Sequence, residues 1–166
     1  MPATYEPIAT VTLGTSAANF SFTSIPSTYT DLRLVLVPTK PSGNLAPRIR
    51  FNSDSGTNYS FTNIWGNGAT AYSNRGANQD SIYLHYDTYP SGSNVGFGTV
   101  DIFSYAGSTN KTVLCEQSSD KNGSGSVARY VNLWRNTSAI TSILVFEDFG
   151  SFGAGTTATL YGIKNF

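Results

Sequence analysis

Charge is what this sequence has least of: only 12% of its 166 residues are Asp, Glu, Lys or Arg, about half the share of an ordinary domain. Ten acids balance ten bases, so the molecule has no net field with which to steer a polyanion or an acidic bilayer, and neither nucleic acid nor membrane is an expected partner. A single cysteine, Cys115, excludes an internal disulfide, and a single histidine, His85, leaves little from which to build a metal site. No metal or other cofactor is expected. No apolar run is long enough to cross a bilayer, and Met1-Pro-Ala-Thr-Tyr-Glu-Pro7 lacks the basic start and apolar centre of a secretory signal. The chain is therefore expected to be made and kept in the cytoplasm. Helical spacing of apolar residues is also missing, as are dense runs of Ala, Leu, Glu and Lys.

What fills the space is Ser, Thr, Asn and 16 Gly around short blocks rich in Val, Ile, Thr, Tyr and Phe. The blocks run Ile8 to Leu13, Asn19 to Phe22, Asp31 to Val37, Arg48 to Phe51, Tyr59 to Ile64, Ser81 to Tyr86, Gly96 to Tyr105, Lys111 to Glu116, Ala128 to Trp134, Ile140 to Phe146 and Thr157 to Ile163. Turn-formers separate them: Pro41 to Asn44, Asp54-Ser-Gly56, Gly66-Asn-Gly68, Pro90-Ser-Gly92, Asn122 to Gly125 and Gly150 to Gly155. This pattern predicts one all-β domain over 1–166, an antiparallel two-sheet sandwich of jelly-roll type with about ten strands and a short arm at 1–8. Asp31 to Val37 reads as a central strand, half-exposed where it alternates and covered on both faces where it is continuously apolar.

No catalytic constellation emerges, and an enzyme is not expected. Cys115 lies in a strand-like apolar run, thirty positions from His85, and reads as a buried, inert thiol. The acidic pairs a glycosidase would need reduce to Glu147 with Asp148, Glu116 with Asp120, and Asp80 with Asp87. Glu147 and Asp148 are neighbours that point apart if the strand runs that far, and nothing singles out the other pairs. Asn52 and Asp54 resemble the start of a calcium loop, but the remaining oxygen ligands and the closing Glu are missing, so a self-capped turn accounts for them.

The aromatic content, 13% with ten Tyr and two Trp, leans towards binding, because Trp and Tyr anchor protein interfaces and offer flat faces to sugars. The candidates for partner or glycan contact are Tyr5, Trp65, Tyr72, Tyr89 and Trp134; the competing reading puts such rings in the core. Trp134 closes a strand opposite Val131 and Leu133, covering a sheet edge or touching a neighbouring subunit. A polar but nearly uncharged surface fits either a flank packed against other subunits or simple solubility through hydroxyls and amides.

Five segments, Tyr5-Glu-Pro-Ile-Ala-Thr-Val-Thr-Leu-Gly14, Ile25-Pro-Ser-Thr-Tyr-Thr-Asp-Leu32, Arg50-Phe-Asn-Ser-Asp-Ser-Gly-Thr-Asn-Tyr59, Leu133-Trp-Arg-Asn-Thr-Ser-Ala-Ile-Thr-Ser-Ile143 and Thr159-Leu-Tyr-Gly-Ile-Lys164, resemble small virion structural proteins of tailed bacteriophages. The stretch from about Gly66 to Gly125 fits least. The resemblance implies a β-sandwich that assembles as a homotrimer and serves on the particle. There it would be a capsid decoration (cement) protein bound to the major capsid protein or another virion protein, or a tail or fibre module holding host-surface glycan. It implies no catalytic residues and a location in the virion.

Overall fold

Alternating apolar residues make strands here because each pleat sends neighbours to opposite faces, so a period of two buries one face and wets the other. A computed structural model describes residues 4–40, 45–84, 96–120, 122–123 and 125–164. Among them lie twelve strands and no helix: β1 (Tyr5–Thr12), β2 (Asn19–Phe22), β3 (Asp31–Val37), β4 (Pro47–Phe51), β5 (Tyr59–Gly66), β6 (Ala71–Gln79), β7 (Ile82–Tyr83), β8 (Phe97–Ile102), β9 (Lys111–Asp120), β10 (Gly125–Trp134), β11 (Ile143–Glu147) and β12 (Thr157–Ile163).

All pairings are antiparallel, and they form two sheets. The large one has the order β1-β12-β3-β8-β9-β10-β5-β6 and the small one β2-β11-β4-β7. The expected two-sheet, all-β architecture is present. Its strands divide eight and four, unlike the eight strands of a simple jelly roll.

The core lies between the sheets. The large sheet contributes Leu32, Leu34, Leu36, Val100, Ile102, Val113, Cys115, Tyr130, Trp134, Tyr59 and Leu160; the small sheet answers with Phe20, Phe22, Ile49, Phe51, Ile143 and Val145. In β3 the alternation is unbroken: Leu32, Leu34 and Leu36 point inward, while Arg33, Val35 and Val37 are half-buried on the other face. The strand is interior to the sheet, between β12 and β8, but its apolar half is not covered on both sides. Among the described residues no second layer lies beyond Val35 and Val37, which are half-buried.

Two polar groups inside the sandwich tie loops together. Lys111 is fully buried and donates from Nζ to the carbonyls of Gly107 (2.7 Å), Thr109 and Thr137 (3.4 Å); burial pushes its pKa down. The buried Glu147 accepts the Ala46 amide with both oxygens, at 3.1 and 3.0 Å, and Lys40 Nζ at 3.2 Å. Each buried charge is thus compensated by several bonds, without which it would cost several kcal/mol on the order of an unpaired ion.

The segment 1–8 is not a free arm. From Tyr5 onward it is an edge strand, with Tyr5 opposite Ile163 and Glu6 opposite Gly162, because its alternate residues extend the pleat of β12. Residues 1–3 lie outside the described part of the chain.

Candidate binding face

Register alone fixes what the large sheet shows to solvent. One row across its outer face reads Phe97, Ser118, Val127, Gly66, Ala71; the next reads Val35, Thr99, Glu116, Arg129, Ile64, Ser73; a third reads Arg33, Asp101, Leu114, Val131, Thr62, Arg75. Ile64 and Val127 are 63% and 62% exposed, and Phe97 and Val131 are exposed as well. Around Ile64, Phe97 and Val127 the face dips into an open groove of about 830 Å³, bounded by Arg33, Glu116 and Arg129.

Its charges are already matched. Arg129 meets Glu116 at 2.8 Å with both side chains half in water, and Arg33 grips Asp101 with Nε and a terminal nitrogen at 2.5 and 2.7 Å. The Arg33 guanidinium also lies 5.6 Å from the centre of the Tyr5 ring, whose hydroxyl accepts from it at 3.3 Å. The groove therefore offers apolar surface with a neutral rim of hydroxyls and closed ion pairs, which suits shape and burial rather than attraction of a charge.

The five aromatic candidates separate. Trp65 and Tyr72 are brought together: directly opposite in register, their rings stack at 4.1 Å and 15°, and both border the groove. Tyr5 is exposed beside Arg33. Tyr89 lies outside the described residues. Trp134 is a correction: it is fully buried, ringed by Phe51 and Tyr59, and donates from Nε1 to Asp54 at 2.8 Å. An indole with its one polar atom satisfied inside the core cannot touch a partner. The even-numbered face of β10 points inward, and Val127, Arg129 and Val131 point out.

The acidic and thiol candidates find structural employment. Asp54 takes the Gly56 amide, the Asn58 side chain and Trp134 Nε1. Burial alone would raise its pKa, yet those bonds hold it below the ordinary value. Asp54 thus caps its own turn as expected, whereas Asn52, with positive φ, does not: its side chain bridges to the distant backbone of Ala139, Thr141 and Ser142. Glu147 points inward while Asp148 turns to Arg48 at 2.5 Å. Asp120 caps the β9–β10 turn by accepting the Gly123 amide. Cys115 is buried beside Asn132 Nδ2 (3.4 Å), and burial pushes its thiol up. His85, the chain's one histidine, lies outside the described residues, as does Asp87. Among the described residues no three His, Cys, Asp or Glu side chains converge as metal ligands would.

No protein-family model, curated protein or solved structure matches the chain. Sequence reasoning passed over Ile64, Phe97, Val127 and Val131. The signal was present in Val127-Ala-Arg-Tyr-Val131, where two valines share the face of an arginine, a pattern typical of an outward face that still carries apolar area.

Proposed function

We propose that this chain is a non-catalytic assembly protein, a structural component of a bacteriophage particle that decorates the head and stabilises its shell. The observation that carries the binding half of this reading is the outer face of the large sheet, where among the described residues Ile64, Phe97 and Val127 stand in water around a groove whose Arg33 and Arg129 are ion-paired, with the exposed Val131 further along the same face. Contiguous apolar surface of this kind marks an interaction site. The virion half rests on the quoted segments. A decorating protein needs no chemistry: by binding only the assembled shell it shifts the balance towards it, and many modest contacts add up. Closed homo-oligomers, the trimer among them, match the symmetric positions a shell offers.

A second reading, a tail or fibre module that holds host glycan, is favoured by the Trp65–Tyr72 pair, although each ring spends one face on the other. One experiment separates the two. Undecorated heads are mixed with wild type and with a double variant, Ile64→Lys with Val127→Lys, and bound copies and the temperature of DNA release are compared. Wild type should bind and raise that temperature, and the variant should do neither. Wild type that ignores heads but binds host cells, with loss of binding in Tyr72→Ala, would replace decoration by the glycan reading.

A further inference from the structure

The large sheet has two edges, and they are finished differently. β1 is blunted: Pro7 removes an amide, the register shifts between Pro7 and Ala9, and Glu6 is clamped by Lys164 at 3.0 Å, all devices that keep an edge from recruiting another strand. In the small sheet the edge strands are only four and two residues long. β6 has nine residues, no proline and one charge, Arg75, and every residue in it is exposed or half-exposed. A register shift comes only near its end, between the pairings of Gly76 and Gln79. The Arg75 amide donates to the side chain of its neighbour Asn74 at 2.7 Å, a local bond that places odd-numbered amides on the side away from β5. A long, nearly uncharged edge is a template for one more strand.

We infer that β6 is a self-association edge that pairs antiparallel with β6 of a second copy of this chain, about a two-fold axis at Asn74. In a two-fold antiparallel pair each residue faces the one equally far beyond the axis. Centred on Asn74, that rule sets Ser73 across from Arg75 and Tyr72 across from Gly76 of the other copy. Centring on Arg75 would oppose two like charges, which is destabilising. The Asn74 register also sets each Tyr72 across from a glycine that Phe61 of the glycine's own chain already covers. Gly76 has no room for a side chain of its own, since a Cβ there would lie 2.5 Å from the Phe61 ring. No foreign partner is called for, because polar meets polar and the lone cation meets a hydroxyl. The result joins two eight-stranded sheets into one of sixteen and sets the two grooves, each bordered by Ala71, Tyr72 and Ser73, on either side of the axis. The inference is independent of the virion reading. It requires pairs, alone or as units of a larger ring, where a plain trimer would leave β6 unused.

The test is sedimentation equilibrium of the full chain from micromolar to near-millimolar concentration, with three variants at one position. A single strand pair is smaller than a standard interface of about 1,600 Å², so a micromolar constant is expected. Ser73→Glu, facing Arg75 of the partner twice over, should tighten the pair, and Ser73→Lys should loosen it, each by about fivefold. Ser73→Pro, which removes an amide on the open side and spares the pairing with β5, should leave a folded monomer. Thermal melting of dilute samples checks that all three stay folded, and Thr10→Lys on β1 serves as a control without effect. A wild type that stays monomeric throughout, an assembly of any size indifferent to Ser73→Pro, or Glu and Lys variants that shift the constant in the same direction would each overturn the inference.

Discussion

The two sheets share one core but close their outer faces in different ways. On the small sheet, the guanidinium carbons of Arg48 and Arg50 lie over the rings of Tyr83 (4.0 Å) and Phe146 (4.7 Å), pinned by Asp80 and, for Arg48, also by Asp148. The guanidinium groups thus cover the rings and meet carboxylates at once, so ring faces and charges are matched within the chain. On the large sheet, Arg33 and Arg129 pair sideways with Asp101 and Glu116 and leave Ile64, Phe97, Val127 and Val131 bare. A sandwich of nearly constant composition thus presents one sealed face and one open face, and the placing of four arginines decides which is which.

Changes aimed at the shared core should erase the contrast, and they should cost most. Trp134→Ala empties a large fully buried site and strips Asp54 of a donor; a loss of about 3–5 kcal/mol is expected in urea unfolding, with both faces failing together in one transition.

Next comes the seal itself. Asp80→Ala removes a carboxylate that serves both Arg48 and Arg50 and should cost about 1–2 kcal/mol, between the values for exposed and buried pairs. Glu116→Ala, its counterpart on the open face, should cost less than about 0.5 kcal/mol because that pair is half in water. Equal losses would mean that the two faces are closed alike. Acid should strike the seal in the same way. Burial works to raise the pKa of Asp80, but the Ser81 hydroxyl and Arg50, aided by the charge of Arg48, outweigh it and hold the carboxyl below its ordinary value. Its contribution is complete above the unfolded value near ~4 and is lost as pH falls through the lower folded one, since there the unfolded chain binds the extra proton. Melting temperature should therefore hold from neutral pH to about 5 and fall below about 4, less steeply in Asp80→Asn.

The smallest effect on stability should come from the open face. Ile64→Lys with Val127→Lys should change unfolding by no more than about 0.5 kcal/mol while abolishing fluorescence of a bound apolar dye, which separates a surface held for binding from one held for folding.

How much of this was legible beforehand depends on what each strand spends its residues on. Asn19 to Phe22, Asp31 to Val37 and Thr157 to Ile163 coincide with β2, β3 and β12, because their alternation is driven by the core. β6, Ala-Tyr-Ser-Asn-Arg-Gly-Ala-Asn-Gln, was not read as a strand at all. With both faces in water it carries no period of two, and its Asn and Gly residues resemble a loop; only pairing with β5 makes it extended. Lys111 was equally hidden, since nothing local distinguishes an ammonium at a strand start from one in solvent, and the carbonyls of Gly107 and Thr137 that receive it are fixed by tertiary structure. The aromatic pair Trp65 and Tyr72 was singled out individually, but their meeting, on the opposite face of the sheet from Ile64 and Ser73, depends on register, as does the company of Ile64 and Val127 on the outer face, and composition does not encode register.

The buried Cys115 gives the fold a clock. It is the chain's one thiol, sealed midway along β9 between its neighbours β8 and β10, and its burial keeps it from ionising. A colourless disulfide reagent in excess can reach it only when the sheets part, so the rate at which colour appears, once independent of reagent concentration, counts openings of the sandwich one molecule at a time. Any partner that settles on the molecule should slow that count in proportion to how firmly it holds the layers shut.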